Sequence, residues 1–359
     1  MPDGELTTAG PYRIPNLHSE ARVVYTTTQP TGSVRGPVAP NVCWALEQHM
    51  DALAAAAGID PVELRLRNVV VEGDEGPTGQ RFEAIRAKET IEEAARMAGW
   101  GQPLPQGEAI GIATGWWPSF PMASGAIVRL NADGSGTIMT GAQECGTGAV
   151  MALPILAAEV LGMRPEEFRI IYQDTDTAAW DGGASGSQTT FNNGRAVVDA
   201  ATRIREKLLD LAADELEASR DDLELVAGSV RVKGSPGSAV TIAALAASAQ
   251  GSTLLLADGS GTPPPVPATD ADRCVGRLGA ESIAAPCYFT QAIRVRVDAD
   301  TGVVQLVDVA AAHDSGRILN PVGAAGQVTG GIVMGIGQAL TEAIILDEDG
   351  RQRNADMLD

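Results

Sequence analysis

The residues best suited to chemistry lie between Asp181 and Ala200, in DGGASGSQTTFNNGRAVVDA, a glycine-, serine- and threonine-rich stretch that runs into a helical pattern. Glycine lets a backbone come close to a ligand because it has no Cβ to clash. The first N–H groups of a helix have no partner within it and carry partial positive charge. Hydroxyls from Ser187, Thr189 and Thr190 add further donors. Such a site suits phosphate or another anion. On its own the stretch also reads as an ordinary connection ending in an N-cap. A second stretch of the same build, GAQECGTGAV at 141–150, likewise opens a helix. Two anion-competent helix starts in one domain suggest a long ligand with several polar groups.

The rest of the composition bounds what that ligand can be. The chain has 359 residues, enough for two domains or one plus part of another, and 44% hydrophobic content is that of a globular protein. The formal net charge is −20, from 26 basic and 46 acidic residues. That balance argues against a nucleic-acid partner, whose phosphates need a basic footprint, and against anionic membrane surfaces. An anionic ligand must then be held by local donors against the overall field. Cys43, Cys145, Cys274 and Cys287 form no CxxC pair, and His18, His49 and His313 have no ligand spacing, so no metal ligands are assigned to this chain. Reduced thiols in a cytoplasmic protein are the expectation, with Cys43 beside Trp44 as core. The amino-terminal sequence lacks a signal core, and no apolar run reaches membrane-spanning length.

The elements that must position these loops follow from periodicity. Residues 1–36 read as irregular, with ARVVYTTT (21–28) as a strand. Ala39 to Ala57 is a helix with Val42, Ala45, Leu46, His49, Met50 and Leu53 on one face and Gly58 as its stop. Asp60-Pro61 starts a short helix ending at Asn68, with Leu64 and Leu66 making its apolar contacts. A helix spans Thr90 to Met97, and GWGQPLPQGE (99–108) marks the main domain break. Strands at 126–130 and 137–140 form a hairpin, and a helix at 149–161 follows the 141–148 loop. A strand at 168–172 precedes the organising loop, whose helix carries Val197, Val198, Ala201, Ile204, Leu208 and Leu211 on one face. A β pair at 223–226 and 229–232 comes next, with KGSPGS as a turn, then a linker-like GTPPPVPATD within 260–272. Strands at 289–297 and 303–310 lead into a glycine-dense helix at 323–345, whose Gly326, Gly330, Gly331, Gly335 and Gly337 imply close backbone packing. The carboxy-terminal residues LDEDGRQRNADMLD read as a hairpin. A unit of strand pair, glycine loop and helix recurs loosely at 126–161, 168–216 and 290–345.

Four blocks in order resemble the molybdenum-binding large subunit of the xanthine dehydrogenase/aldehyde oxidase family of molybdenum hydroxylases. They are GPYRIPN to RLRN (10–68), GAQECGTG (141–148), DGGASGSQTT with GRAV (181–197), and DSGRILNPVGAAGQVTGGIVMGIGQALTE (314–342). The resemblance implies an α+β fold of mixed sheets with packed helices. Residues 1–104 would be the tail of a first molybdopterin-binding domain and its linker, and 105–359 a second such domain, truncated at its carboxy-terminus. It implies a molybdenum–molybdopterin cofactor, in the cytosine dinucleotide form if the source is bacterial. The implied reaction is hydroxylation of an aldehyde or an electron-poor N-heteroaromatic carbon with oxygen from water. Electrons would leave through [2Fe–2S] and FAD centres on an iron–sulfur subunit and an FAD subunit. Arg35 would face the substrate. Gly146, Thr147 and Gly148 would lie on one cofactor loop, with Thr147 where many relatives have glutamine. Gly186, Ser187, Gln188, Thr189 and Thr190 would wrap the phosphate side, with Gln188 in place of a frequent arginine, and Gln327 would approach the cofactor with its amide.

The sequence also departs from the family pattern. Relatives carry an amino-terminal domain and an earlier cofactor-binding half, and they continue to a "G-GE" motif whose glutamate is the general base; that glutamate is not found in this chain. Glu342 matches the "AL-E" glutamate and reads as structural. Other readings stay open: a split subunit active only with partner chains, a phosphate- or nucleotide-binding module, or an assembly domain.

Overall fold

The computed structural model describes residues 7–28, 30, 32–76, 81–120, 122–172, 174–262 and 284–356. The chain begins with irregular backbone, and no strand forms over 21–28, where Val23, Val24 and Tyr25 are exposed. The β-branched run has the propensity of a strand but finds no neighbouring strand to pair with, and isolated strands are not stable in water.

Helix α1 spans Ala39–Ala57 and ends at Gly58 in the left-handed conformation (φ 65°). Its buried stripe is Glu47, Met50 and Ala54; Leu53, His49 and Trp44 face outward. The apolar count misplaced this face because it gave a charged residue no chance of burial. Helix α2 (Pro61–Asn68) has the expected cap: the Asp60 carboxylate accepts from the N–H groups of Val62 and Glu63 at 2.9 and 3.1 Å. Its buried residues are Val62 and, against expectation, Arg65; Leu66 packs on the same apolar core as expected, while Leu64 is half-buried.

Arg65 explains both corrections. Its side chain is fully buried, with Nε donating to Glu47 Oε2 at 2.9 Å and Nη1 paired to Asp51 at 2.8 Å. The same Glu47 carboxylate accepts from the Tyr12 hydroxyl at 2.6 Å and from the Thr114 N–H at 2.7 Å. Burial, with the Glu47 charge, pushes the Tyr12 hydroxyl far above its ordinary range, so it stays a donor.

Thr114 lies on β1 (Glu108–Ser119), which pairs antiparallel with β9 (Ala284–Val297) in a sheet of order β1-β9-β10, where β10 is Val304–Asp314. Helix α3 (Ala87–Ala98) packs on β9 and β10. One apolar cluster therefore holds Val62 and Val69, Ile91 and Ala94, and Ile112, Trp116 and Tyr288. Residues on both sides of the 99–108 connection share that core.

A second core lies under a four-stranded sheet of order β4-β3-β2-β8. Its strands are β2 (Ser124–Leu130), β3 (Gly136–Thr140), β4 (Phe168–Tyr172) and β8 (Leu256–Gly261); only β3 and β4 run parallel. Helices α4 (Ala149–Leu161) and α5 (Gly194–Glu215) cover it. The predicted stripe of α5 is real: Val197, Ala201, Ile204 and Leu208 are fully buried.

A third sheet holds β5 (Leu223–Val226), β6 (Ser229–Val232) and β7 (Ser235–Thr241), followed by α6 (Ile242–Ala249). Most of KGSPGS is thus strand rather than turn, because the reversal is complete at Gly234, in the left-handed conformation (φ 74°). The proline-rich part of the linker and Cys274 lie outside the described residues. Helix α7 (Pro321–Leu340) starts earlier and ends sooner than expected, with Pro321 at its first position and Asn320 capping Gly323 N–H at 3.0 Å. The last residues turn back through a single bridge, Leu346 to Gln352. Of the three loosely repeated units, the first and third have a strand pair and the middle one a single strand.

These layers make the α+β architecture of mixed sheets and packed helices. Replacing Glu47 by alanine removes the buried partner of the Arg65 guanidinium and leaves it only the exposed Asp51 carboxylate as counter-ion, a loss of about 3 kcal/mol. Denaturant unfolding of Glu47→Ala against wild type checks this, and a loss below about 1 kcal/mol would show that the buried pair is not what holds α1 to β1.

Candidate functional site

The 181–190 loop is built by its own polar side chains. Asp181 bridges to Ser124, its Oδ1 accepts from Gly183 N–H at 2.8 Å, and its Oδ2 accepts from Asn193 Nδ2 at 3.1 Å. Gln188 is wholly buried: its Nε2 donates to Gly183 O at 2.8 Å and its Oε1 accepts from Met122 N–H at 2.6 Å. It is the strut under the loop, and its amide groups face inward. Gly186 sits at φ 61°, and a Cβ there would lie 2.9 Å from Phe120 Cβ. Ser187, also left-handed at φ 58°, accepts from Trp117 Nε1 at 3.0 Å through its hydroxyl. Thr189 is buried, whereas Ser187 and Thr190 are exposed at the rim.

Residues Thr189–Asn193 form a single π turn before α5. Such turns often mark functional positions. Here a close approach forces it: a Cβ at Gly261 on β8 would lie 1.9 Å from the Asn192 carbonyl oxygen, and one at Gly259 would lie 2.1 Å from that of Ala196. Only glycine lets β8 come this near. The Asn192 amide donates to Met122 O, and Asn193 Nδ2 donates to Thr140 Oγ1 at 2.7 Å.

The 141–148 loop lies beside the first. A Cβ at Gly141 would sit 2.5 Å from Ala179 O, and one at Gly183 would sit 3.8 Å from Gln143 Oε1. Its helix start already holds an anion, the side chain of Glu144. Oε1 accepts from the N–H groups of Gly146 at 2.7 Å and Gly148 at 3.0 Å, and Oε2 accepts from Val150 at 3.3 Å. Partial burial works against the charge, but the backbone donors outweigh it and hold this carboxyl below its usual range. Gly146 (φ 92°) and Gly148 (φ 72°) have nothing within 4 Å of where a Cβ would stand, so this face of the loop is open.

Gln327, on α7, donates from Nε2 to Gly146 O at 3.1 Å. One turn on, a Cβ at Gly331 would be 3.6 Å from Nη1 of Arg35. Residues four apart share a helix face, so Gln327 and Arg35 meet the same side of α7. Of the α7 glycines, Gly330 and Gly331 face Arg35, while Gly326 and Gly335 face open space. Arg35 precedes α1 by a tight turn in which Val38, a β-branched residue, is held at φ 65°. This is strained backbone of the kind that gathers at functional sites.

His313, at the end of β10, stacks on Phe289 with ring centroids 5.6 Å apart. The residue is exposed at one edge, but desolvation of its packed face, and then the Arg35 charge, hold its imidazole below its ordinary value, which favours the neutral form. Cys43 completes this corner, its Sγ 3.6 Å from Thr114 O. Burial pushes that thiol up to about 12, so it is inert packing. Trp44 beside it is exposed.

The structure thus brings Arg35 and the Gly146 loop to α7 one turn apart, and sets the 141–148 loop beside the 181–183 end of the loop that carries Gly186 to Thr190. It turns the side chains of Gln188 and Thr189 inward. Sequence reasoning missed Glu144, Asp181, Asn193 and His313. Glu144 carried a legible signal, since a carboxylate just ahead of a helix is a natural cap. His313 carried none, because its partners come from distant segments. Among the described residues no cluster of three or more His, Cys, Asp or Glu is placed to hold a metal ion, and no helix is long and apolar enough to cross a membrane.

Comparison with known proteins gives a consistent result. A molybdopterin cofactor-binding domain family matches residues 81–359, and a second one matches residues 3–69. The xanthine dehydrogenase molybdenum-binding subunit of Escherichia coli O157:H7 is 32% identical over 94% of this chain and 46% of its own length. The chain therefore spans about half the length of the curated relatives it matches. Among solved structures, the aldehyde oxidoreductase of Desulfovibrio desulfuricans ATCC 27774 superposes with a TM-score of 0.72 at 28% identity, over 93% of this chain and 35% of that one. Quinoline 2-oxidoreductase from Pseudomonas putida 86 shares the fold with a TM-score of 0.85 at 24% identity, over 99% of this chain and 47% of that one.

The strut beneath the 181–190 loop can be tested directly. Gln188→Ala leaves the N–H of Met122 without its partner and the carbonyl of Gly183 with only the Ser185 N–H, a loss of about 1–3 kcal/mol. Amide hydrogen exchange at Met122 is expected to accelerate with α4 unchanged. Unaltered exchange there would mean that the loop holds its shape without Gln188.

Proposed function

This chain belongs to the molybdenum-binding subunits of the xanthine dehydrogenase/aldehyde oxidase family, and on that premise we propose that the strip from Arg35 to Thr190 is its part of a molybdopterin-dependent oxidoreductase site. The observation that carries the reading is convergence. Arg35, α7 with Gln327 and the two glycine loops come from four distant parts of the sequence, yet Arg35 and the Gly146 loop meet α7 one turn apart and the second loop lies against the first.

The residues fit a pyranopterin cofactor. Gly146 and Gly148 leave an open, Cβ-free surface beside the Gln327 amide. Ser187 and Thr190 present exposed hydroxyls next to the start of a long helical run, the setting that suits phosphate. We assign the cytosine dinucleotide form of molybdopterin, with its phosphates toward 186–190. When bound, the cofactor supplies the oxidative hydroxylation chemistry, with oxygen from water.

What this chain supplies is position and charge. The Arg35 guanidinium, held over the α7 backbone, orients a carbonyl or an electron-rich edge of an aldehyde or N-heteroaromatic substrate and stabilises developing negative charge. Neutral His313 beside it can accept a hydrogen bond from the substrate without adding positive charge. In this reading Arg35 comes from the tail of a first molybdopterin-binding domain (1–104) and the loops from a second (105–359), with α3 built into the core of the second. Partner chains carry the [2Fe–2S] and FAD centres and complete the site, and the assembly is cytoplasmic.

One observation favours a subunit that works only when assembled. Helix α7 has no buried residue, and its Val322, Val333 and Leu340 are exposed. Uncovered apolar side chains of this size mark an interaction face.

Kinetics of the assembled complex in ¹⁸O-labelled water test the proposal. We expect one labelled oxygen per turnover of an aldehyde or N-heteroaromatic substrate. Arg35→Ala is expected to lower kcat/KM about 10- to 100-fold, the loss of a charge-assisted contact. Label arriving from dioxygen, or an Arg35→Ala enzyme indistinguishable from wild type, would defeat the assignment.

A further inference from the structure

We propose that Glu144 is the positioning residue of the 141–150 loop, and that its carboxylate closes this helix start to phosphate and reserves it for an uncharged part of the ligand. The inference rests on the cofactor reading above for the nature of that ligand, but its physical core does not.

The loop has the composition of an anion site, and its donors are already spent. Glu144 takes the N–H groups of Gly146, Gly148 and Val150, and the Thr147 hydroxyl takes that of Ala149 at 3.3 Å. A full negative charge thus sits where the helix dipole offers about half a positive one. A second anion would meet net repulsion and find the N–H groups of Gly146, Gly148 and Val150 already taken.

The same contacts set the shape of the loop. Gly146 and Gly148 both adopt left-handed conformations as the chain wraps around the carboxylate. With the N–H groups of Gly146 and Gly148 both drawn to Glu144, the intervening Gly146–Thr147 peptide is held from either side and presents the Gly146 carbonyl to Gln327 on α7. Glu144 therefore fixes the peptide that links the loop to α7. The neighbouring loop is arranged otherwise: its acidic residue, Asp181, is turned to Gly183 and Asn193, at the far end from Ser187 and Thr190. The two glycine loops are thus unequal. Charge is sent to 186–190, and the uncharged hydrogen-bonding edge of the ligand is left to 146–148.

Inorganic phosphate is the probe, titrated into the cofactor-free chain and followed through the amide resonances of Gly146, Gly148 and Val150. Wild type is expected to show no saturable shift at these amides up to tens of millimolar. Glu144→Ala is expected to gain one. Glu144→Gln keeps the side chain's shape without its charge and is expected to speed amide exchange at Gly146 and Gly148 by about tenfold, the loss of charge assistance. Phosphate shifting these amides in wild type, failing to do so in Glu144→Ala, or exchange unchanged in Glu144→Gln would each overturn the proposal. Molybdenum and pterin analysis of the assembled wild-type complex is a separate arm. A cofactor-free complex with the expected phosphate results would sink the cofactor reading and leave the phosphate-excluding role of Glu144 standing.

Discussion

The carboxylate of Glu47 is the constraint on which the arrangement of this chain depends. It sits buried between an equally buried arginine, a tyrosine hydroxyl and a strand N–H. An unpaired charge in such a place costs several kcal/mol, so the three partners cannot drift apart singly. Those partners come from the irregular amino-terminal segment, α2 and β1. Their joint requirement fixes the middle of α1 against the first sheet. The turn that precedes α1 carries Arg35, and the same helix brings Cys43 against β1 close to Phe289 and His313. Positioning of a surface guanidinium thus begins with a hydrogen-bonded charge deep in the core.

The other half of the site depends on the absence of side chains. Gly259 and Gly261 let β8 touch the backbone of α5 and its leading π turn, and that contact sets where the 181–190 loop begins. From there the loop is held by amides and a carboxylate rather than by apolar packing: Gln188, Asn192, Asn193 and Asp181 point inward. A polar floor of this kind fixes one loop shape, because every broken contact strands a buried group. The rim is left to exposed hydroxyls. Rigid floor and adaptable rim together suit a loop that must be ready for a ligand before it arrives.

Much of this was legible in the sequence. The helix at 149–161, the strand at 168–172, the cap at Asp60 and the stripe of α5 all followed from local periodicity and end signals, which act over a few residues. The two loops were found because their small residues are chemically unusual in that setting. What was not legible depended on partners far along the chain. The face of α1 turns on Glu47, whose burial makes sense only once Arg65 and Thr114 are placed beside it. Residues 21–28 have strand composition, but pairing decides a strand. Gln188 read as a ligand residue because its loop did. That its side chain would be needed below, against Met122, is set by tertiary structure alone.

The central claim is that one face, made by Arg35, Gln327 and two glycine loops, is built around a molybdopterin cofactor. Its most direct test is the molybdenum and pterin content of the complex containing this chain, purified from cells that make the cofactor, in wild-type form and with Thr190→Trp together with Gln327→Ala. We expect about one molybdenum and one pterin per wild-type chain, consistent with one strip per chain, and loss of most of both from the double variant while the complex stays assembled. Full occupancy in the double variant would place the cofactor elsewhere and contradict the account.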